Sequence, residues 1–339
     1  MIQHKDALSV GIAALILALL LRAISLGGFV SAENPDMLSF LVYLQTGRIV
    51  RYQPPSSPDI APTAPPPTVP ADTTPPAVSA PGYLTLTAED ASPVVLYDLV
   101  DYEPDVQSLL LSRLDWNLTG DEPKVLILHT HSTESYTRQP GEDYEEESAY
   151  RTLNGAYNML SIGAELTRVL ENGGVAVLHD RTLHDHPSYD GSYDHARDTI
   201  AGYLAAYPSI CMVIDLHRDA LDFNQDPQLT TLAQINGQNS AQLMLVAGTD
   251  HNVSFPNWEQ NLATGLKLMA VLEKLHPGIT RPALLRPQRF NLDLTPGSLL
   301  IEVGANGNTH SEAMLAVRAL GQAVIAMAHG VNLQNAPPL

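Results

Sequence analysis

Two things are scarce in this sequence. Cysteine occurs once in 339 residues, as Cys211. A single thiol excludes an intramolecular disulfide, and inside its apolar run Cys211 reads as a small buried hydrophobe. The lack of disulfides leaves the compartment open, because many extracytoplasmic bacterial proteins have none. Basic residues are the second scarcity. The chain has 18 Lys+Arg against 37 Asp+Glu, a formal net charge of −19. A protein that grips a nucleic-acid backbone needs a basic face, so the balance argues against that class. It says nothing against membrane attachment, which depends on one local segment.

Such a segment is present. Residues 7–32 are nearly all apolar or small, with Arg22 the only charge. That is long enough for the roughly 20 residues that span a bilayer. Residues 1–32 are therefore expected to be a transmembrane anchor, with Lys5 on the inner side and Arg22 near the outer interface. A cleaved signal peptide ending at Val30-Ser31-Ala32 is the competing reading. Residues 33–53 form a juxtamembrane segment, with a short amphipathic helix expected at 37–44. Residues 54–82 hold 11 of the 26 prolines among Ser, Thr, Ala and Asp, which predicts an extended linker with no core. A lead-in segment, 83–122, carries a short strand signal at 83–87.

From residue 123 the texture changes. Residues 125–129 are expected to be a strand buried on both faces, apolar without alternating until His129. Helical spacing follows over 155–172, stopped by Gly173 and Gly174. Strands are predicted at 175–178, 210–216, 243–247 and 299–303, and helices at 195–207, 258–275 and 311–328. This alternation predicts an α/β domain over 123–339. Its sheet should be mostly parallel and open, with helices on both faces.

In open parallel sheets, functional groups collect beyond the carboxyl ends of the strands. His129 and His131, His179 and Asp180, His217 and Asp219, and Glu302 all fall at or just past such ends. A hydrolytic zinc site needs three protein ligands and an open position, together with a carboxylate that moves the proton of water. The residue types point to His131, His217 and a Glu from the first loop as ligands, with Glu302 as the base. His131 is preferred over His129 because it lies further past the strand end. His129 would then support the site or face substrate. Asp215 or Asp219 would fix the His217 ring through its other nitrogen. Arg218 would either clamp a substrate carboxylate or serve as an ordinary ion-pair partner. Glu134 follows His131 by three residues, while the acidic run 142–147 offers competitors.

At these residues the chain resembles the stage II sporulation protein P family, relatives of the zinc-dependent N-acetylmuramoyl-L-alanine amidases. Four stretches carry the resemblance: 128–136 (Leu-His-Thr-His-Ser-Thr-Glu-Ser-Tyr), 179–189, 214–219 (Ile-Asp-Leu-His-Arg-Asp) and 301–304 (Ile-Glu-Val-Gly), the last with Asn306. It covers roughly residue 123 to the C-terminus and extends by layout to the anchor and linker. The resemblance implies Zn2+ as cofactor and peptidoglycan as substrate, with cleavage of the amide between N-acetylmuramic acid and the stem peptide. A cross-link endopeptidase activity is also implied. So is a location between mother cell and forespore membranes during engulfment. The implied partners are the stage II sporulation protein D transglycosylase and the membrane protein stage II sporulation protein M. Residue by residue it maps His131 and His217 onto ligands and Glu302 onto the catalytic carboxylate. The wider amidases take their Glu ligand from the segment leading into the first helix, which favours residues 145–147 over Glu134. The stretch 184–193, with Ser188 and Tyr189, is expected to be a substrate-binding loop. Ser132 and Thr133 stand where amidases usually carry glycines, as fits the sporulation branch.

Two other readings remain: a non-catalytic wall-binding scaffold with the same shape, and a metallocarboxypeptidase-like enzyme. Stoichiometric zinc separates the first from the amidase, and the intact set His131, His217 and Glu302 speaks against it.

Overall fold

The computed structural model describes residues 84–114, 117–223 and 227–333. The expected anchor, juxtamembrane helix and proline-rich linker lie outside the described residues.

Eleven strands and five α-helices are described. The lead-in segment supplies β1 (Leu84–Leu86), β2 (Leu96–Asp98) and the short helix α1 (Val106–Leu111). Then come β3 (Val125–Leu128), α2 (Met159–Asn172), β4 (Val177–His179), α3 (Ser192–Ala206) and β5 (Met212–Asp219). A hairpin of β6 (Leu232–Ile235) and β7 (Gln238–Ala241) precedes β8 (Leu243–Gly248) and α4 (Trp258–Leu275). The chain continues through β9 (Ala283–Arg286), β10 (Ser298–Ala305), α5 (His310–Ala328) and β11 (Val331–Leu333).

Seven strands form one sheet in the order β2-β9-β8-β10-β5-β3-β4. Every neighbouring pair is parallel except β8 with β10. The four strands β10, β5, β3 and β4 therefore share a direction and bring their carboxyl ends to one edge, which is the edge the sequence singled out.

Alternation along the strands sorts the side chains. Val125 and Ile127, Met212, Ile214 and Leu216, and Leu299, Ile301 and Val303 join residues of α2, α4 and α5 in the largest core. Leu126, Leu128 and Val213 point the other way, onto Ala196 and Ile200 of α3. Met244, Val246 and Leu300 pack against Phe255 and Leu292 in a third cluster. Helices thus lie on both faces, but unevenly: loop residues complete the α3 side. Each large side chain fully buried in this way stabilises the fold by roughly 1.5–3 kcal/mol relative to exposure.

The helix ends have local causes. Asn158 caps α2 through Oδ1, which accepts the Leu160 N–H at 3.0 Å, so the helix starts later than the apolar spacing alone suggests. Thr309 and Glu312 form a reciprocal capping box at the start of α5. The lead-in segment is not set apart from the rest. Strand β2 adds the edge of the main sheet, and Leu86, Leu110 and Leu111 enter the largest core.

Candidate active site

The site rests on two neighbouring strands. In the parallel register of β5 and β10, His217 and Glu302 are direct partners. Both project on the α3 side of the sheet, opposite the faces of Leu216 and Ile301. Strand β5 is longer than its apolar run, because His217, Arg218 and Asp219 continue the pairing with β10. Immediately after Glu302 the register shifts, and Gly304 adopts a positive φ of 69°. A Cβ there would come within 2.7 Å of Ala241 Cβ and 2.8 Å of Asn308 Oδ1, so only glycine fits the bulge.

The loop after β3 supplies the other donors. The His131 ring meets the His217 ring edge-on, with centroids 5.2 Å apart. Glu134 Oε2 lies 3.9 Å from His217 Nδ1 and accepts the Arg218 backbone N–H at 3.2 Å. Residues 145–147, the competing carboxylates, are exposed on the surface loop. On the far side of the His217 ring, Asp215 Oδ1 is 3.0 Å from Nε2, near enough for an ion pair. It is out of line for the N–H, so Nε2 has no aligned hydrogen bond. Thr130 fixes Asp215 by donating from its backbone N–H at 2.8 Å and its hydroxyl at 2.6 Å. Asp219 instead pairs with Arg281 at 2.7 Å.

Charge follows geometry. Burial pushes the Glu302 carboxyl up to about 8, despite the opposing pull of His217. Its Oε2 is sealed from solvent without a hydrogen-bond partner, although the residue as a whole is half-buried. Burial alone would lower His217, but Asp215 outweighs it and lifts the imidazole to about 9. Burial also pushes up on Glu134, yet the positive charges of Arg218 and then His217 hold it below its usual value. His131 is lowered to about 4, by burial first and His217 second.

Two imidazoles and a carboxylate, with a further carboxylate alongside, are the donor types zinc takes in hydrolases. The outer nitrogens face polar partners, His131 Nδ1 the buried Ser192 hydroxyl at 3.4 Å and His217 Nε2 the Asp215 carboxylate at 3.0 Å, the latter by charge and without an aligned hydrogen bond. That leaves His131 Nε2 and His217 Nδ1 as the donor atoms, and the residues fit the ion in kind. Among the described residues, however, no three His, Cys, Asp or Glu groups converge closely enough to hold an ion. His131 Nε2 is 3.1 Å from the Tyr189 hydroxyl, and Glu134 Oε1 accepts from Arg151 Nη2 at 3.2 Å.

Several expected site residues sit elsewhere. His129 is fully buried on the α2 side, where strand alternation sends it, and cannot face substrate. Its Nδ1 donates to Leu216 O at 3.2 Å, so Nε2 accepts from His179 Nε2 at 2.9 Å. Burial, then His179, lowers its pKa to about 3, so it stays neutral. Arg218 is buried as well, with Nε donating to Ser135 O at 2.9 Å and Nη2 to Tyr150 O at 3.0 Å. Its guanidinium braces the first loop and is not free to clamp a substrate. Asp180 ties down the next loop through His184 at 3.0 Å. Ser188 is exposed and donates to Asp190 O at 3.3 Å. Tyr189 does reach the site, stacked on the His131 ring at 4.5 Å.

The sequence reading missed Arg151, Asp185 and Tyr193. Arg151 bridges Glu134 and Asp185, the latter at 2.6 Å, and Asp185 holds Thr133 through its hydroxyl at 2.7 Å. Tyr193 sits edge-on to His131 at 5.5 Å, and burial raises its phenol pKa. Asp185 and Tyr193 were within the loop singled out as polar, but nothing local marks Arg151.

A family model described as Stage II sporulation protein P matches residues 83–325. Stage II sporulation protein P of Bacillus subtilis (strain 168) is 27% identical over 212 residues, covering 59% of this chain and 50% of that protein. The match thus spans half the length of that relative. Among solved structures, an N-acetylmuramoyl-L-alanine amidase from Clostridium difficile 630 aligns with a TM-score of 0.39 at 13% identity, over 62% of this chain and 99% of that one. The catalytic domain of CwlV, an N-acetylmuramoyl-L-alanine amidase from Bacillus (Paenibacillus) polymyxa var. colistinus, aligns with a TM-score of 0.35 at 10% identity, over 59% and 96% of the two chains. The family match takes in both described parts of the site, the loop after β3 and the paired strands β5 and β10. The chain belongs to the stage II sporulation protein P family.

Proposed function

We propose that this protein is a zinc-dependent peptidoglycan hydrolase that cleaves the amide between N-acetylmuramic acid and L-alanine of the stem peptide. The carrying observation is the pairing of His217 with Glu302 across β5 and β10, with Glu302 Oε2 sealed and without a hydrogen-bond partner, and with His131 and Glu134 meeting His217 from the loop after β3. A buried carboxylate left without a partner is costly unless a function retains it.

In this reading His131, Glu134 and His217 hold Zn2+, and Asp215 orients the His217 ring. Zinc, when bound, supplies a Lewis acid that polarises a carbonyl and lowers the pKa of water and of nearby acids. Glu302 takes the proton of the attacking water at its carboxylate oxygen and delivers it to the departing stem-peptide nitrogen. Tyr193 and the wall of α3 exclude bulk water from this exchange. The family name supports a role in sporulation. The reading extends to action from a membrane anchor between mother cell and forespore membranes, alongside stage II sporulation proteins D and M, with cross-link cleavage as a second activity.

A wall-binding scaffold is the alternative. It is favoured by one observation, the engagement of Glu134 by Arg151. The test incubates the full-length chain with purified peptidoglycan, with chelator or with zinc, and identifies the products by mass spectrometry. Free stem peptides released only with zinc are expected. Split cross-links with intact sugar–peptide bonds would move the activity to an endopeptidase. No products together with no bound zinc would leave the scaffold.

A further inference from the structure

Two side chains compete for the donor atoms of the proposed centre. The Tyr189 hydroxyl lies 3.1 Å from His131 Nε2, and the Tyr189 ring stacks on the imidazole with an interplanar angle of 13°. Arg151 Nη2 donates to Glu134 Oε1 at 3.2 Å, and the same guanidinium lies 4.9 Å from the centre of the Tyr189 ring. The two residues come from different loops, one before α2 and one before α3, yet they touch each other and each holds one proposed ligand. His131 is held on its inner side by Ser192, so Nε2 is the nitrogen a metal would use, and that is the nitrogen Tyr189 covers.

Tyr189 is unlike the other residues of the centre. It is 55% exposed, while His131 is 7% and His217 is 3% exposed. A cavity of about 460 Å³ opens beside it, lined by Thr133, Glu147, Arg151, Asp185, His186 and Tyr189 among others. His131, Glu134 and His217 do not line this cavity. Tyr189 and Arg151 are thus the partition between an open chamber and the ligand set. Displacing the Tyr189 side chain toward solvent would uncover His131 Nε2 toward the chamber, and Tyr189 belongs to none of the hydrophobic core clusters.

We infer that Tyr189 and Arg151 form a clasp that competes with zinc for His131 Nε2 and Glu134 Oε1, and that its release controls both metal uptake and access from the chamber. This rests on the zinc reading above, and the test separates the two. The full-length chain and its Tyr189→Phe variant are titrated with zinc against a chromophoric chelator, and the association rate is followed by stopped flow. The phenylalanine keeps the ring stack and removes only the hydroxyl. Losing one competing hydrogen bond should tighten zinc binding about five-fold and speed association. Arg151→Lys, which keeps the charge but loses the forked grip on Glu134 and Asp185, should shift affinity in the same direction. Zinc binding by the variant but not by the unaltered chain would also be the clasp at work. Unchanged or weaker zinc binding in Tyr189→Phe, with the unaltered chain binding zinc normally, would overturn the clasp alone and make Tyr189 a support for His131. No zinc bound by any of the three proteins would overturn the metal centre itself.

Discussion

Glu302 is the residue whose chemistry is most exposed to test. Its Oε2 has no hydrogen-bond partner, and its register partner is His217. Glu302→Gln keeps the shape and removes the proposed base, so under the proposed mechanism hydrolysis should fall at least ~10²-fold while zinc content and circular dichroism stay unchanged. Retained activity would remove Glu302 from the mechanism. Gly163, inside α2, makes a separate prediction. Gly to Ala normally favours a helix by up to about 1 kcal/mol. A Cβ on Gly163, however, would stand 2.4 Å from His129 Nε2 and 2.5 Å from His179 Nε2. Gly163→Ala should therefore destabilise the fold by about 1–3 kcal/mol. Gly202 in α3 has no atom within 4 Å of such a Cβ, so Gly202→Ala should be neutral or stabilising. Thermal melts of the two variants, side by side, decide it.

At the scale of elements, α4 carries a lysine into the core. Lys267 is 3% exposed, and its Nζ donates to Leu109 O of α1 at 2.9 Å and lies 3.3 Å from Ser112 Oγ. Burial lowers its pKa from 10.5 to about 8. The folded chain therefore sheds this proton before the unfolded chain does. Between these values the unfolded state binds more protons, so stability rises with pH, by up to about 1.4 kcal/mol per unit. Below about 8 both states are protonated and the cost is constant. Lys267→Met should lose this slope, as read from urea unfolding of both proteins at about pH 8 and about pH 10. An equal pH response in the two would show that the α1–α4 contact does not titrate. Elements also show what the sequence could convey. The limits of α4 match the expected 258–275, because its apolar spacing and the His276-Pro277-Gly278 stop after it are both local. Strands β2 and β9 escaped notice, since three or four residues give too short a run to reveal a period.

At the scale of the molecule, ligand binding and folding are linked. Zinc that binds only the folded chain should raise its stability by about 2.7 kcal/mol at 100 times the dissociation constant. The melting temperature should rise with zinc in the unaltered protein and in Glu302→Gln. It should not rise in His217→Ala, which removes a proposed ligand on β5. A zinc-dependent rise in His217→Ala would place the ion elsewhere. The same scale explains the sheet. Three strands from the far edge run against the four that carry the candidate site, so that site is confined to one half, and β2, β9 and β8 serve as buttress.

The sequence by itself determined the α/β alternation and the gathering of polar residues, His131, His217 and Glu302 among them, at one sheet edge, because each is written in a local run: an apolar strand followed by its polar end. Tertiary structure decided the rest. It turned His129 away from the site, because a strand alternates and His129 falls on the α2 face. It brought Glu134 to His217 and left residues 145–147 in solvent. It spent Arg218 on the carbonyls of Ser135 and Tyr150. And it carried Arg151 across to Glu134, a contact set by how two loops pack over one sheet edge, which no local pattern of residues encodes.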